Sequence, residues 1–398
     1  MDVRILPGRL HGTVAAISSK SDAHRKLIAA ALADRETEIE LNIFSDDINS
    51  TLRCITSLGG AWCRTEKGVK ITPIKKTSDN VCLDFGESGS TARFLLPVTA
   101  AVYESAKFCG RGRLNVRPFA EITREMRKNG VNIDSDTLPM RSAGRLKNGE
   151  FRLSGDVSSQ YTTGLLFALP LLENGGRIAR TSPLQSAAYV DMTLDTLSDF
   201  GITAAQDEHG FTVEKQQYIS PGKLCTDGDW SNAAFWIAAD KICGGVQVTG
   251  LSDNSRQGDK AITELCGKTE IDCSQIPDLA PILAVAAAAG NGKTVFKNAA
   301  RLRLKESDRI KSVTALINSL GGNAKEKADG LVINGTGSLR GGAVDSFADH
   351  RIVMAAAIAS CICTEPVIIH GAEAVNKSYP TFFEDFKSLG GAADVQYR

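Results

Sequence analysis

The sequence predicts an α/β protein of two lobes, each assembled from three copies of one repeat, and three observations carry that prediction. The first is a junction in which a helical pattern ends at glycine and passes into a strand. It occurs at Leu58-Gly59-Gly60, Asn129-Gly130-Val131, Phe200-Gly201-Ile202, Cys266-Gly267-Lys268, Leu320-Gly321-Gly322 and Leu389-Gly390-Gly391. These junctions recur at intervals of about 55 to 71 residues, each with glycine where a helix C-terminus takes a left-handed residue. The second is an acidic-to-glycine turn leading to another strand, as in Asp207-Glu208-His209-Gly210 before Phe211-Thr212-Val213, and Asp329-Gly330 before Leu331-Val332-Ile333. The third is size: 398 residues with 42% hydrophobic content bury a sizeable core and fit two domains. The unit reads helix, strand, turn, strand, with further elements between. A cluster of Pro, Gly and Asp from Pro221 to Asp229 marks the boundary between lobes.

Individual helices follow from their apolar spacing. Ile310, Val313, Ile317 and Leu320 lie three, four and three residues apart, an amphipathic stripe, with Ser307 and Asp308 suited to the first turn and Gly321 to the end. Phe119, Ile122 and Met126 repeat the stripe after Pro118, which the sequence puts at the first helical position. Ile352 to Ile362 is apolar on nearly every side, the pattern of an interior helix.

Composition narrows the function classes. The 46 basic and 46 acidic residues cancel, so no general attraction for polyanions exists and nucleic acid is not expected as a partner. Met1 to Leu10 carries Pro7 and Gly8 and no apolar core, and the longest apolar run, Leu279 to Ala289, is interrupted by Pro281; neither secretion nor membrane spanning is indicated. The ten cysteines include no C-x-x-C pair, and Cys361 and Cys363 lie at the end of the apolar run from Ala355. They are expected to be reduced and mostly buried in a cytoplasmic chain. The five histidines stand singly, so no metal centre is expected.

The chemistry lies in short cationic motifs far apart in the chain: Ser19-Lys20-Ser21 with Arg25, Asn115-Val116-Arg117-Pro118, Lys305-Glu306-Ser307-Asp308-Arg309 and Asp349-His350-Arg351. Each opens an Ala- or Leu-rich run, which puts positive charge at helix N-termini whose unpaired N–H groups and dipole already favour anions. With Lys377, these residues span almost the whole chain, so a shared site would lie in a cleft between lobes. Arginine brings a fork for carboxylate or phosphate, and lysine a compact charge that can exchange a proton. Gly86-Glu87-Ser88-Gly89-Ser90-Thr91 lets backbone approach a ligand closely, and Ser158-Ser159-Gln160 supplies neutral donors at another helix start. A solvated charged helix start explains Lys305 to Arg309 equally well taken alone, and an ordinary cap explains Ser158 to Gln160. Asp349-His350-Arg351 is harder to dismiss, because an unneeded arginine at an interior helix is costly. Gly290-Asn291-Gly292-Lys293-Thr294 mimics the end of a phosphate loop, but the required upstream glycine is Ala287, which leaves a turn before a strand.

In order and approximate spacing these motifs, with Ser186 to Leu194, Gly228-Asp229-Trp230-Ser231, Gln257-Gly258-Asp259 and Ile276-Pro277-Asp278, resemble the 5-enolpyruvylshikimate-3-phosphate synthase family from Ile5 to Phe386. The resemblance implies the enolpyruvyl transferase fold: two lobes, each of three βαβαββ-like repeats, around a cleft, with residues 1–18 and 227–398 in the first lobe and 19–226 in the second. It implies that Lys20, Ser21, Arg25, Ser158, Ser159, Gln160, Ser186, Asp278 and Lys305 contact shikimate 3-phosphate. Lys20, Gly89, Arg117, Gln160, Arg309, Arg351 and Lys377 would surround phosphoenolpyruvate. Transfer of the enolpyruvyl group to the 5-hydroxyl, with release of phosphate, needs a base for the hydroxyl and an acid for C3. Asp278 takes the first role and Glu306 the second, with Lys20 and Lys377 as proton carriers. No cofactor and no metal are implied, and a monomer is the family expectation.

Some positions depart from the family pattern. Glu87 stands where Asn is frequent and would repel an anion unless paired, Asp22-Ala23-His24 replaces an Ile-Ser-Asn type sequence, and Arg301 takes a position often Asn or Glu. Three rival readings of the same motifs compete with this one. The sister enzyme acting on UDP-N-acetylglucosamine prefers Lys-Asn where Lys20-Ser21 stands and has a cysteine in the loop before Arg-Pro, where Gly110 to Val116 has none. RNA 3′-phosphate cyclases are disfavoured by the neutral charge. A non-catalytic anion binder is disfavoured by the presence of Asp278, Glu306 and both motif lysines.

Overall fold

The computed structural model describes residues 1–76 and 78–396. The chain divides into two compact units, one formed by Lys20–Thr226 and the other by Met1–Ser19 with Asp227–Arg398.

Among the described residues, the Lys20–Thr226 unit holds three four-stranded sheets and six α-helices. The helices are α1 (Lys20–Leu32), α2 (Asp46–Ser57), α3 (Gly89–Val102), α4 (Ala120–Lys128), α5 (Ser159–Ala168) and α6 (Ala187–Asp199). The clearest copy of the repeat runs from Asn80–Asp84 through α3 to Ser105–Cys109, then through α4 to Asn132–Ile133 and Met140–Ala143. Its first two strands pair in parallel, Leu83 opposite Phe108, and the last two close the sheet antiparallel. A parallel pair needs a crossover and an antiparallel pair only a turn, which is why helices and hairpins alternate as they do. Glu150–Leu153 to Gly210–Val213 repeats the order with α5 and α6, and in the third copy Lys223–Cys225 supplies the first strand to Thr37–Glu40, Gly68–Thr72 and Ala61–Arg64.

The other unit contains α7 (Trp230–Cys243), α8 (Ile262–Leu265), α9 (Ala280–Ala289), α10 (Arg309–Ser319), α11 (His350–Ala359) and α12 (Phe382–Ser388). Two complete copies occur among the described residues: Glu270–Asp272 to Gly330–Thr336, and Gly342–Asp345 with Val367–His370, Ala393–Gln396 and the N-terminal strand Asp2–Ile5. The expected third copy is reduced to Val246–Thr249 paired in parallel with Gly12–Ala15. The junction at Cys266-Gly267 follows a four-residue helix, and the polar stretch Ser252 to Gln257 offers no alternating pattern for another hairpin. All six junction glycines still adopt positive φ, between 74° at Gly201 and 94° at Gly130, the conformation the junctions require.

Burial separates the helices that matter for the site. α11 is buried at every residue from His350 to Ala359, in line with its uniform apolarity. Pro118, by contrast, precedes the helix rather than opening it, since Phe119 occupies the cap position and α4 begins at Ala120. The cysteines also depart from expectation: all ten are unpaired, but only Cys54, Cys273 and Cys363 are buried, because most of the others lie on strand faces or element ends turned to solvent. No helix among the described residues is long and apolar enough to cross a membrane.

The packing of α3 on α5 depends on Gly164, where a Cβ would collide with the backbone carbonyl of Arg93. Gly164→Ala should therefore destabilise the protein by about 1–3 kcal/mol despite the better helix propensity of alanine, measured as a lowered Tm. An unchanged or raised Tm would show that the two helices separate freely.

Candidate active site

The Met1–Ser19 and Asp227–Arg398 unit brings together residues from three helix starts. Asp308 caps α10, its Oδ1 accepting the Lys311 N–H at 3.2 Å, and this sets Arg309 at the first helical position. The Arg309 side chain is only 1% exposed. Its Nε donates to Asp349 Oδ2 at 2.8 Å, Nη1 to Asp278 Oδ1 at 2.5 Å and Nη2 to Glu306 Oε2 at 2.8 Å. Asp349 in turn caps α11 through the Arg351 N–H at 3.0 Å and accepts from Ser307 Oγ at 2.9 Å. Arg351 Nη2 lies 3.3 Å from Asp278 Oδ2, and Lys305 Nζ 3.4 Å from Asp278 Oδ1. Three cations therefore face three carboxylates.

The balance of burial and charge shifts these groups strongly. Burial pushes the Asp278 carboxyl up, but Arg351, Lys305 and Arg309 together pull it well below the ordinary carboxylate range. Burial brings Lys305 down to about 8, with the Asp278 charge opposing the fall. Burial lowers Arg309, yet Asp349, Glu306 and Asp278 outweigh it and hold the guanidinium more firmly charged than usual. Asp349 is lowered because Arg309 and His350 overcome its burial. Lys377, buried at the end of the short turn Ala372–Lys377, precedes Ser378, whose hydroxyl donates to Asn232 of α7 at 3.4 Å.

The Lys20–Thr226 unit holds a second group. Gly89 opens α3 behind the capping Ser88, and a Cβ on Gly89 would sit 2.6 Å from Arg93 Nη1 and 2.8 Å from Arg117 Nη1. Glycine here thus admits two guanidinium groups beside a helix N-terminus. Arg93 Nη1 also donates to Gln160 Oε1 at 3.1 Å, and Gln160 Nε2 donates to Ser90 Oγ at 2.9 Å. Ser158 caps α5, accepting the Gln160 N–H at 3.3 Å, Ser159 is buried beside it, and Ser186 caps α6 in the left-handed region at φ 55°.

Lys20 and Arg25 lie on α1. Lys20 Nζ pairs with Asp47 Oδ2 at 2.8 Å. Three of the five N–H donors of the Arg25 guanidinium go to the protein: Nε donates to Thr193 Oγ1 at 2.9 Å, Nη2 to the Tyr189 carbonyl and Nη1 to the Ser21 carbonyl, both at 2.6 Å. Burial lowers it to about 10. Arg25 thus ties α1 to α6, a task its place in the sequence motif did not show.

Sequence reasoning missed Arg93 and the structural part of Asp349. A signal existed for Arg93: an arginine four residues after Gly89 inside an otherwise apolar helix needs a partner, the same argument that singled out Arg351. Glu87, expected to repel an anion, lies with its carboxylate against Gly112, where a Cβ would collide with it.

These two groups of helix-start cations, each on sheets built from one βαβαββ repeat, define an α/β protein built to handle anions. The sequence model of the EPSP synthase (3-phosphoshikimate 1-carboxyvinyltransferase) family matches residues 6–272 and 263–386. The 3-phosphoshikimate 1-carboxyvinyltransferase of Clostridium kluyveri is 41% identical over 424 residues, covering 98% of each chain. That of Clostridium botulinum strain Eklund 17B is 39% identical over 420 residues, covering 98% of this chain and 97% of the relative. The solved EPSP synthase of Acinetobacter baumannii superimposes with a TM-score of 0.82 at 25% identity, covering both chains completely. The chain belongs to the EPSP synthase family.

Proposed function

We propose that this protein transfers the enolpyruvyl group of phosphoenolpyruvate to the 5-hydroxyl of shikimate 3-phosphate, releasing phosphate on the route to chorismate and the aromatic amino acids. The observation that carries the reading is Asp278 held between Lys305, Arg309 and Arg351, in a chain that matches the family over nearly its full length. Lys20, Ser21, Arg25, Ser158, Ser159, Gln160, Ser186 and Lys305 bind shikimate 3-phosphate. Gly89, Arg117, Gln160, Arg309, Arg351 and Lys377 bind phosphoenolpyruvate, with Lys20 and Gln160 serving both.

In the reaction, a proton goes to C3 of phosphoenolpyruvate, C2 becomes electrophilic, and the 5-hydroxyl oxygen bonds to C2 while losing its proton. The tetrahedral intermediate then expels phosphate and gives up a C3 proton, restoring the double bond. Asp278 accepts the hydroxyl proton and Glu306 serves C3, with Lys20 and Lys377 relaying protons. A carboxylate with a strongly depressed pKa is a weak base, but the substrate's phosphate and carboxylate groups compete for Lys305, Arg309 and Arg351. As those cations turn to the substrates, Asp278 regains basicity. A monomer in the cytoplasm fits the family, and ten unpaired cysteines fit a reducing compartment.

Purified protein should release inorganic phosphate from phosphoenolpyruvate with shikimate 3-phosphate and not with UDP-N-acetylglucosamine. Release only with the nucleotide sugar would move the chain to the sister activity, and release with neither would leave a binding protein. A pH profile tests Lys305. With its pKa lowered to about 8, the free protein loses this charge as pH rises through that value, so kcat/KM for shikimate 3-phosphate should fall above it. The same shift works the other way on folding. Burying charged Lys305 costs stability below its folded pKa, and the cost is relieved between there and the unfolded value. Lys305→Arg should remove the alkaline fall in kcat/KM, and a fall that persists would assign it to another group.

A further inference from the structure

Where α1, α2 and α3 meet lies a row of fully buried polar side chains with no part in the scheme above: His24, Thr51, Thr91 and Ser88. His24 Nδ1 is 2.7 Å from Thr51 Oγ1, Thr51 Oγ1 is 2.7 Å from Thr91 Oγ1, and Thr91 Oγ1 donates to Ser88 Oγ at 2.7 Å. Ser88 Oγ also accepts the Thr91 N–H at 3.3 Å as the cap of α3. Each hydroxyl has one proton to give, so the direction of the row follows. Thr91 spends its proton on Ser88 and must accept from Thr51; Thr51 then has none left for His24 and must accept from Nδ1–H.

Two rungs join the helices. Lys20 and His24 are four residues apart on α1 and therefore share a face, as do Asp47 and Thr51 on α2; Lys20 pairs with Asp47 and His24 with Thr51. Thr51 then carries the second rung on to α3, whose first residue is Gly89.

We infer that His24 is a positioning residue for phosphoenolpyruvate: through Thr51 and Thr91 its Nδ1–H fixes the cap of α3, and with it the Gly89 backbone between Arg93 and Arg117. This rests on the proposed reading of Gly89 and Arg117 as phosphoenolpyruvate contacts. The requirement at position 24 is a donor where Nδ1 stands. An asparagine side chain puts its amide nitrogen at the same distance from the backbone and meets that requirement; leucine does not.

The test combines kinetics with nitrogen-15 NMR of labelled imidazole. In the full-length protein, the signal lost in His24→Asn should report a protonated, pyrrole-type Nδ1; a pyridine-type Nδ1 would overturn the direction of the row whether or not the protein is active. His24→Leu should raise KM for phosphoenolpyruvate about tenfold while kcat and KM for shikimate 3-phosphate stay within about twofold. His24→Asn should restore wild-type values. Thr91→Val, which keeps the side-chain shape, should reproduce His24→Leu, and the double variant should be no worse than either single one, as groups in one chain are non-additive. A lowered Tm with both KM values unchanged, or single effects that multiply in the double variant, would overturn the inference. Failure of the wild type to release phosphate with shikimate 3-phosphate would instead strike the proposed function, with the NMR result still deciding the row.

Discussion

Asp278→Asn should fold and bind but turn over about 10²–10⁴ times more slowly, the range for loss of a positioned acid or base. The amide keeps the shape of the carboxylate and can still accept from Arg309 and Lys305. It cannot take a proton, and it leaves three cations facing two carboxylates. The wild-type carboxyl is held well below its ordinary range by Arg351, Lys305 and Arg309 against its burial, which fixes the sign of a second effect. A carboxyl with a depressed folded pKa contributes stability that is present above its unfolded pKa and lost as pH falls through the folded one. Acid unfolding of Asp278→Asn should thus be less steep than that of the wild type. Glu306→Gln, compared over the same pH range, should change the limb that reports protonation at C3 rather than the one that reports the hydroxyl. Near-normal turnover in Asp278→Asn would remove the base from that residue.

Local backbone demands leave marks in the sequence, and long-range pairings do not. Repeats were legible because a helix C-terminus needs a left-handed residue, and Gly59, Gly130, Gly201, Gly321 and Gly390 leave a mark that spacing can detect. The reduced copy near Gly267 was not, because one glycine after a short helix looks the same whether or not a hairpin follows. Arg351 was legible as a costly charge at an interior helix, and α11 is indeed buried throughout. Ion-pair partners were not: Asp47 meets Lys20 from 27 residues away and Asp349 meets Arg309 from 40, and nothing local in the chain encodes such pairings. The motif arginines also divide by task in a way that spacing hides. Arg25 spends three of its five donors on Ser21, Tyr189 and Thr193, whereas Arg117 lies against Gly89 at the Ser88-capped start of α3.

The largest loss of stability should follow from Asp349→Leu. Asp349 is fully buried, caps α11, accepts from Ser307 and takes two guanidinium bonds from Arg309. Removing it leaves Arg309 Nε without its acceptor and three buried cations facing only Asp278 and Glu306, an uncompensated buried charge that costs about 3–5 kcal/mol, and it also uncaps a helix, which costs about 1 kcal/mol more. Its pKa is lowered by Arg309 and His350 in spite of burial, so the stability it confers is present at neutral pH and fades as acid protonates it. Most of the cost arises from the uncompensated positive charge rather than from the missing contact, and that can be separated. Asp349→Leu with Arg309→Met removes one charge of each sign and leaves Lys305 and Arg351 facing Asp278 and Glu306. The double variant should recover at least half of the lost stability, since apolar replacements of a buried pair are often neutral, yet it should release no phosphate, because Arg309 is assigned to phosphoenolpyruvate. Denaturant unfolding and the phosphate assay together decide the matter. If Asp349→Leu alone unfolds like the wild type, the pair is not what holds α10 against α11. If the double variant is no more stable than the single one, the cost lies in the helix cap and not in the uncompensated charge.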